Sequence, residues 1–267
     1  MDEQMSFTSL YVDIAKEPTE DQILLPLAKD GIFTFNIQSR EELVCFCTKL
    51  GTIVKHRDSD KNGLTRIRKR NGVLYTLSEA GYQAFTNSHL TLHTDGSSAS
   101  DPATLIVLWC AHPAEEGGIS LFADGKQIYH VLAHHYPHVL QKFTMPDSAI
   151  FSGAQPPFYS SIFSTLPNGN IYIRFRYDSL VYYSAPVCSE LPIFLQLLNQ
   201  HSVSFTLKKH QGYVIQNGRW LHGRTAFDGD RDLYRVLVQT EPNTLVGKQV
   251  MLGFSPDLEQ MSCVTSC

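Results

Sequence analysis

The chain has 267 residues, 43% of them hydrophobic and 18% charged, a balance that excludes a disordered chain and suits one globular domain with a large core. Its formal net charge of −4 offers no basic field for nucleic acid or an anionic membrane surface. No apolar run has the length of a membrane span, and the acidic start Met1-Asp2-Glu3-Gln4 has no apolar h-region behind it. Six scattered cysteines (Cys45, Cys47, Cys110, Cys188, Cys263, Cys267) form no Cys-x-x-Cys pattern, so a soluble cytoplasmic protein with reduced thiols is expected.

In chain order, Glu20 to Lys29 reads as a short helix with Thr19 as its cap. Asp30-Gly31 turns into a β-rich run, Ile32 to Ile37. Ser39 caps a helix from Arg40 to Leu50, with Glu42 at the capping-box position and Leu43, Phe46, Cys47 and Leu50 at helical spacing. Thr65 to Arg70 is a basic strand, read either as a charged, solvated sheet edge or as a rim that attracts anions. A loop from Tyr75 to Thr86 leads to a strand, Asn87 to Leu92, and then to Leu92-His93-Thr94-Asp95-Gly96. On a strand, residues two apart point to one face, so His93 and Asp95 converge.

Leu105 to Trp109 is a continuous apolar run, the pattern of a strand buried on both faces. Gly117-Gly118 turns into a strand at Ile119-Ser120-Leu121-Phe122. Gln127 to Phe143 reads as one helix with His130, His134 and His138 along one face, a zinc site by spacing or a plain polar face. Ile171 to Asp178 alternates, which puts Arg174, Arg176 and Asp178 on one face of a strand and Ile173, Phe175 and Tyr177 on the other. Ser189 to Gln200 is an amphipathic helix with Leu191, Phe194, Leu195 and Leu198 at core spacing. Strands follow at Phe205–Leu207, Gly212–Gln216 and Arg235–Thr240, and residues 246–267 form a tail. Many short strands with glycine and proline turns predict a mainly β chain, a double-stranded β-helix (jelly roll) with flanking α-helices. A single domain is expected, with 126–205 as a helix-containing insertion.

A third ligand for the His93–Asp95 pair stands far downstream, in Asn217-Gly-Arg-Trp-Leu-His222-Gly-Arg224. Two histidines and one carboxylate are the facial set of non-haem Fe(II) oxygenases, which leaves three coordination positions open. Arg231 and Arg235, four apart on an expected strand, follow on one face. Paired guanidiniums beside such a triad suit a chelated keto-acid whose far carboxylate needs a clamp.

These stretches, with Gly117-Gly-Ile-Ser120 and Asp30-Gly-Ile-Phe-Thr-Phe35, resemble the Fe(II)/2-oxoglutarate-dependent taurine dioxygenase family, in the branch of clavaminate synthase and carbapenem synthase. The likeness covers most of residues 20–240. It implies Fe(II), 2-oxoglutarate and O2 as cofactor and co-substrates, with His93, Asp95 and His222 as catalytic metal ligands. It further implies Arg231 on the C5 carboxylate of 2-oxoglutarate and Ser120 at a hydroxyl position that binds the same molecule. Arg235, Asn87, Arg176 and Asp178 then become candidates for the substrate, a small carboxylate-bearing amino acid or a metabolite derived from one. For either arginine the structural alternative is an ion pair with Asp228, Asp230 or Asp232. Asp95 stands where related halogenases have a small residue, so halogenation is not expected. Hydroxylation leads the expected outcomes; desaturation, cyclisation and epimerisation, in natural-product biosynthesis or elsewhere, stay open. Two rival readings are a non-catalytic jelly-roll binding protein and a hydrolase or isomerase that uses the same ligands without oxygen.

Overall fold

A computed structural model describes residues 5–14, 20–70, 82–153, 156–241, 246–247, 250 and 252–257. Helix α1 (Glu20–Lys29) leads into β1 (Ile32–Asn36), then α2 (Arg40–Leu50), β2 (Thr52–Val54) and β3 (Leu64–Ile67). Strands β4 (Leu90–His93), β5 (Leu105–His112), β6 (Glu116–Gly117) and β7 (Ser120–Asp124) precede helices α3 (Gly125–His135) and α4 (Pro137–Phe143). Short strands follow: β8 (Ala149–Phe151), β9 (Phe158–Ser160), β10 (Phe163–Thr165), β11 (Ile171–Ile173) and β12 (Val181–Tyr183). Helices α5 (Ala185–Cys188) and α6 (Leu191–Gln200) come next. The chain closes with β13 (Val203–Phe205), β14 (Gln211–Gln216), β15 (Trp220–Arg224), β16 (Phe227–Asp228) and β17 (Asp232–Gln239).

The architecture is mainly β, and the paired strands are antiparallel. A six-stranded sheet runs β1-β14-β5-β17-β2, with β3 also on β17, and a four-stranded sheet runs β13-β7-β15-β4. Alternation assigns the faces. In β5, Leu105, Val107 and Trp109 join the core under α1 and α2, while Ile106 and Cys110 join a second core. That second core also holds Phe122 of β7, Tyr213 of β14, Trp220 of β15 and Leu233 of β17, so it lies between the two sheets. A third core packs the outer face of the four-stranded sheet, at Ala123 and Leu221, against α3, α4 and α6. Each fully buried large apolar side chain contributes about 1.5–3 kcal/mol, so three contiguous cores supply the rigidity that the site requires.

Several local expectations need correction. The single helix over Gln127–Phe143 is two, broken at Tyr136 before Pro137. Proline disfavours helical backbone in the residue before it and cannot donate to the preceding turn. The strand over Ile171–Asp178 ends at Ile173. Beyond it the Arg174 amide bonds Ile162 O and the Phe175 amide bonds Thr94 Oγ1, so the chain becomes a brace under the loop that follows His93. Arg174 is consequently buried, and Tyr177, expected on the opposite face, shares a cavity with Arg176 and Asp178. The expected Phe205–Leu207 strand lies slightly earlier, at Val203–Phe205. Of the basic stretch, Leu64–Ile67 forms an edge strand in which Arg66 reaches Asp232 at 2.8 Å.

Ser39 caps α2 as expected, accepting from the Glu42 amide at 3.1 Å, while Glu42 accepts from the Gln38 amide at 2.9 Å. The Thr19 cap and residues 75–81 of the expected loop lie outside the described residues; Gln83–Phe85 forms a short 3-10 turn. Within the tail, Phe254 bridges to Ile171 and Val250 is buried. No described helix is long and apolar enough to cross a membrane.

Candidate active site

The site forms between the two sheets, where strand pairing places its ligands. His93, the last residue of β4, stands directly opposite His222 of β15, and their ring centroids are 4.6 Å apart. A bulge follows on β15. Gly223 sits where a Cβ would lie 2.5 Å from Leu90 O, so only glycine lets β4 approach this closely. Asp95 lies beyond the strand. Its convergence with His93 therefore comes from a turn through Gly96 (φ +65°) rather than from strand alternation.

Asn217 holds that turn. Its Oδ1 accepts from the Asp95 amide at 2.9 Å, and its Nδ2 donates to Asp95 O at 2.9 Å and Ala103 O at 3.0 Å, all fully buried. Arg174 secures the next residues, donating from Nη1 to Ser97 O at 2.6 Å and Ala99 O at 2.8 Å, with Phe158 stacked on its guanidinium.

Asp95 Oδ1 lies 3.7 Å from His93 Nε2, and Oδ2 lies 3.9 Å from His222 Nε2. All three ligand atoms fall within 4.8 Å of one another, the one such grouping of His, Cys, Asp or Glu among the described residues. Ligands about 2.1 Å from one ion and at right angles to each other lie roughly 3.0 Å apart, so seating a metal closes the two Asp95–histidine pairs by a little under about an ångström each and the histidine–histidine pair by up to about 2 Å. His93 Nδ1 is 2.8 Å from Thr91 O, a contact that places its proton on Nδ1 and leaves the Nε2 lone pair facing the site. Burial lowers the His222 pKa to about 3, helped by His93 and Arg235 against the opposing pull of Asp95. Burial alone would raise the Asp95 carboxyl, but the Arg235 guanidinium and both imidazoles hold it well below the carboxylate range. The result is two imidazoles beside a charged carboxylate, the donor set a divalent ion requires.

Two cavities meet at this triad. The larger, about 400 Å³, is lined by His93, Asp95, Ser97, Arg176, Asp178 and Arg235 among others. The smaller, about 50 Å³, runs from His93 and His222 to Ser120, Tyr213 and Arg231. Arg235 borders both, and its Nη1 is 3.0 Å from each Asp95 oxygen. Arg231 is 7% exposed and makes no hydrogen bond or ion pair with any described residue; its only contact of note is the Phe227 ring at 5.4 Å. Burial lowers its pKa, the nearby Tyr213 phenol opposing the shift. Asp232 is engaged by Arg66 instead. A buried cation without a counter-charge is costly unless an anion binds it.

The description of one family, the taurine catabolism dioxygenase TauD, TfdA family, matches residues 6–237. The chain belongs to the TauD/TfdA family of dioxygenases. Human (Homo sapiens) gamma-butyrobetaine dioxygenase is 26% identical over 220 residues, 71% of this chain and 56% of that protein. The chain thus spans little more than half the length of that curated relative. Among solved structures, asparagine oxygenase in complex with Fe(II), hydroxyasparagine and succinate superposes with TM-score 0.66 at 14% identity, covering 82% of this chain and 78% of that one. The non-heme iron oxygenase OrfP in complex with Fe and alpha-ketoglutaric acid superposes with TM-score 0.62 at 12% identity, covering 83% and 79%.

Within this TauD-family site, His93, Asp95, His222, Arg231, Arg235 and Ser120 come together, and Arg176 and Asp178 line the larger cavity. Arg176 and Asp178 pair with each other (Nε–Oδ1 2.8 Å), and Arg176 reaches Ser97 Oγ at 3.3 Å. Asn87 borders neither cavity; its carbonyl accepts from the Phe227 amide. Among the described residues, His130, His134 and His138 form no ligand group. Sequence reasoning missed three roles. Asn217 stands inside the quoted motif, but its bonds to the Asp95 turn leave no spacing signal. Arg174 is expected on a polar sheet face, and Tyr213 falls unremarked within the Gly212–Gln216 strand. Arg224, beside His222, donates to Thr86 O and Ser88 O and so ties the loop bordering both cavities to β15.

Proposed function

We propose that the chain is an Fe(II)- and 2-oxoglutarate-dependent oxygenase that oxidises a C–H bond of a small amino acid or a metabolite derived from one. His93, Asp95 and His222 would hold the ferrous ion. The two facing sheets are read as the double-stranded β-helix that carries such a site. Bound there, iron lets dioxygen attack an unactivated C–H bond while 2-oxoglutarate is oxidised to succinate and carbon dioxide. The chain's own residues do the rest. Arg231 receives the far carboxylate of the keto-acid in a fork of N–H donors, with Ser120 beside it. The apolar core between the sheets excludes water around the metal. Arg235 holds Asp95 charged, and the larger cavity takes the substrate, with Arg176 and Asp178 offering one charge of each sign to a zwitterion. The likeness in fold to oxygenases crystallised with hydroxyasparagine and hydroxyarginine supports the substrate class.

The observation that carries this reading is the buried Arg231, without a hydrogen-bond or ion-pair partner among the described residues, at the far end of a small cavity that starts at the triad. The test is a panel of amino acids and amino-acid derivatives screened for substrate-stimulated succinate release, followed by the mass of the product. Gain of one oxygen identifies hydroxylation, loss of two hydrogens desaturation or ring closure. Activity without oxygen or keto-acid would instead favour a hydrolase or isomerase.

A further inference from the structure

The small cavity ends on three polar groups rather than two. Tyr213 lines the cavity with Arg231 and Ser120 and is 2% exposed, yet its hydroxyl has no hydrogen-bond partner among the described residues. The Ser120 hydroxyl and the Arg231 guanidinium are likewise without hydrogen-bond partners there. Polar groups closed off from bulk solvent are normally satisfied, so two hydroxyls and a guanidinium without described partners on one small cavity mark a binding site for an acceptor.

The ring is held in place. Tyr213 sits mid-sheet on β14, opposite Thr34 of β1 and Leu108 of β5. Phe122 meets it edge-on at 4.8 Å and Phe205 at 6.3 Å. Burial pushes its pKa above the ordinary phenol value, with Arg231 opposing, so the phenol is a donor at working pH. An ionised carboxylate offers about four acceptor positions on two oxygens. Two N–H groups of Arg231, the Ser120 hydroxyl and the Tyr213 hydroxyl are the matching number of donors.

We infer that Tyr213 donates a hydrogen bond to the far carboxylate of the bound keto-acid and so helps select a five-carbon dicarboxylate over monocarboxylate keto-acids. This rests on the co-substrate assignment above. A hydroxyl donor of this kind discriminates strongly, because an analogue lacking the carboxylate leaves three buried donors unpaired.

The test compares the full chain loaded with Mn(II) against the Tyr213→Phe variant, by calorimetric titration with 2-oxoglutarate and with 2-oxopentanoate, which has a methyl group in place of the far carboxylate. Tyr213→Phe is expected to weaken 2-oxoglutarate roughly tenfold, the factor one hydrogen bond to a charged group carries, and to leave 2-oxopentanoate unchanged. Equal losses for both ligands, or no loss for 2-oxoglutarate, would overturn the inference while leaving the co-substrate assignment intact. No binding of 2-oxoglutarate to metal-loaded wild type would overturn both. Should the variant fail to fold, the near-ultraviolet difference spectrum of wild type decides: a red-shifted tyrosine signal is expected with 2-oxoglutarate and not with 2-oxopentanoate, and identical spectra would refute the donor role.

Discussion

Arg231→Met separates a ligand-binding cation from a structural one. The guanidinium is buried and unpaired among the described residues, so the methionine variant, similar in length and uncharged, loses no protein partner. Without co-substrate it should be as stable as wild type or more so. Binding should suffer instead. Two hydrogen bonds to a charged carboxylate, each about 1.5–3 kcal/mol and discounted for desolvation of the anion, give about 3 kcal/mol, or roughly 150-fold in affinity. Thermal melting with Mn(II) reads both effects. At 2-oxoglutarate about 100 times the wild-type Kd, wild type gains about 2.7 kcal/mol, roughly 5–10 °C in Tm. The variant at the same concentration should gain less than about 1 °C. A full ligand-induced shift in Arg231→Met would refute the reasoning. So would a ligand-free Tm lowered by more than about 5 °C, since that would make Arg231 a structural ion.

Other residues give sharp expectations. Asn217→Ala leaves the Asp95 amide and two buried carbonyls unpaired; it should cost about 3 kcal/mol or more in denaturant unfolding and about 10–100-fold in metal affinity by dialysis. Arg174→Met removes the bonds to Ser97 and Ala99 carbonyls, so hydrogen exchange across residues 96–99 should accelerate while metal affinity holds. Gly223→Ala places a methyl 2.5 Å from Leu90 O. It should destabilise by about 1–3 kcal/mol and weaken the metal through His93, read by melting and dialysis of one sample.

The cluster of His93, Asp95 and His222 was legible in the sequence, and the packing that assembles it was not. His-x-Asp and the distant histidine were legible because metal chemistry restricts residue type. Their reason for meeting was not: β4 pairs with β15 across more than a hundred residues, and register of that range leaves no local trace. A continuous apolar run identified β5 as a strand, but alternation failed at Arg174, where long-range bonds to the 96–99 loop override it. Pro137 was visible in the sequence, and its power to divide a helix outweighed the helical spacing of the histidines that ran through it. Arg231 and Arg235 look equivalent on paper, yet Arg235 is matched to Asp95 and Arg231 to no described residue. Only packing distinguishes a paired cation from one that awaits a ligand.

His93, Asp95 and His222 are proposed to hold one ferrous ion, and anaerobic equilibrium dialysis at neutral pH tests that most directly. Wild type should bind one Fe(II) per chain, and Asp95→Ala and His222→Ala, if correctly folded, should bind it at least about tenfold more weakly. Full Fe(II) retention by either variant would contradict the account.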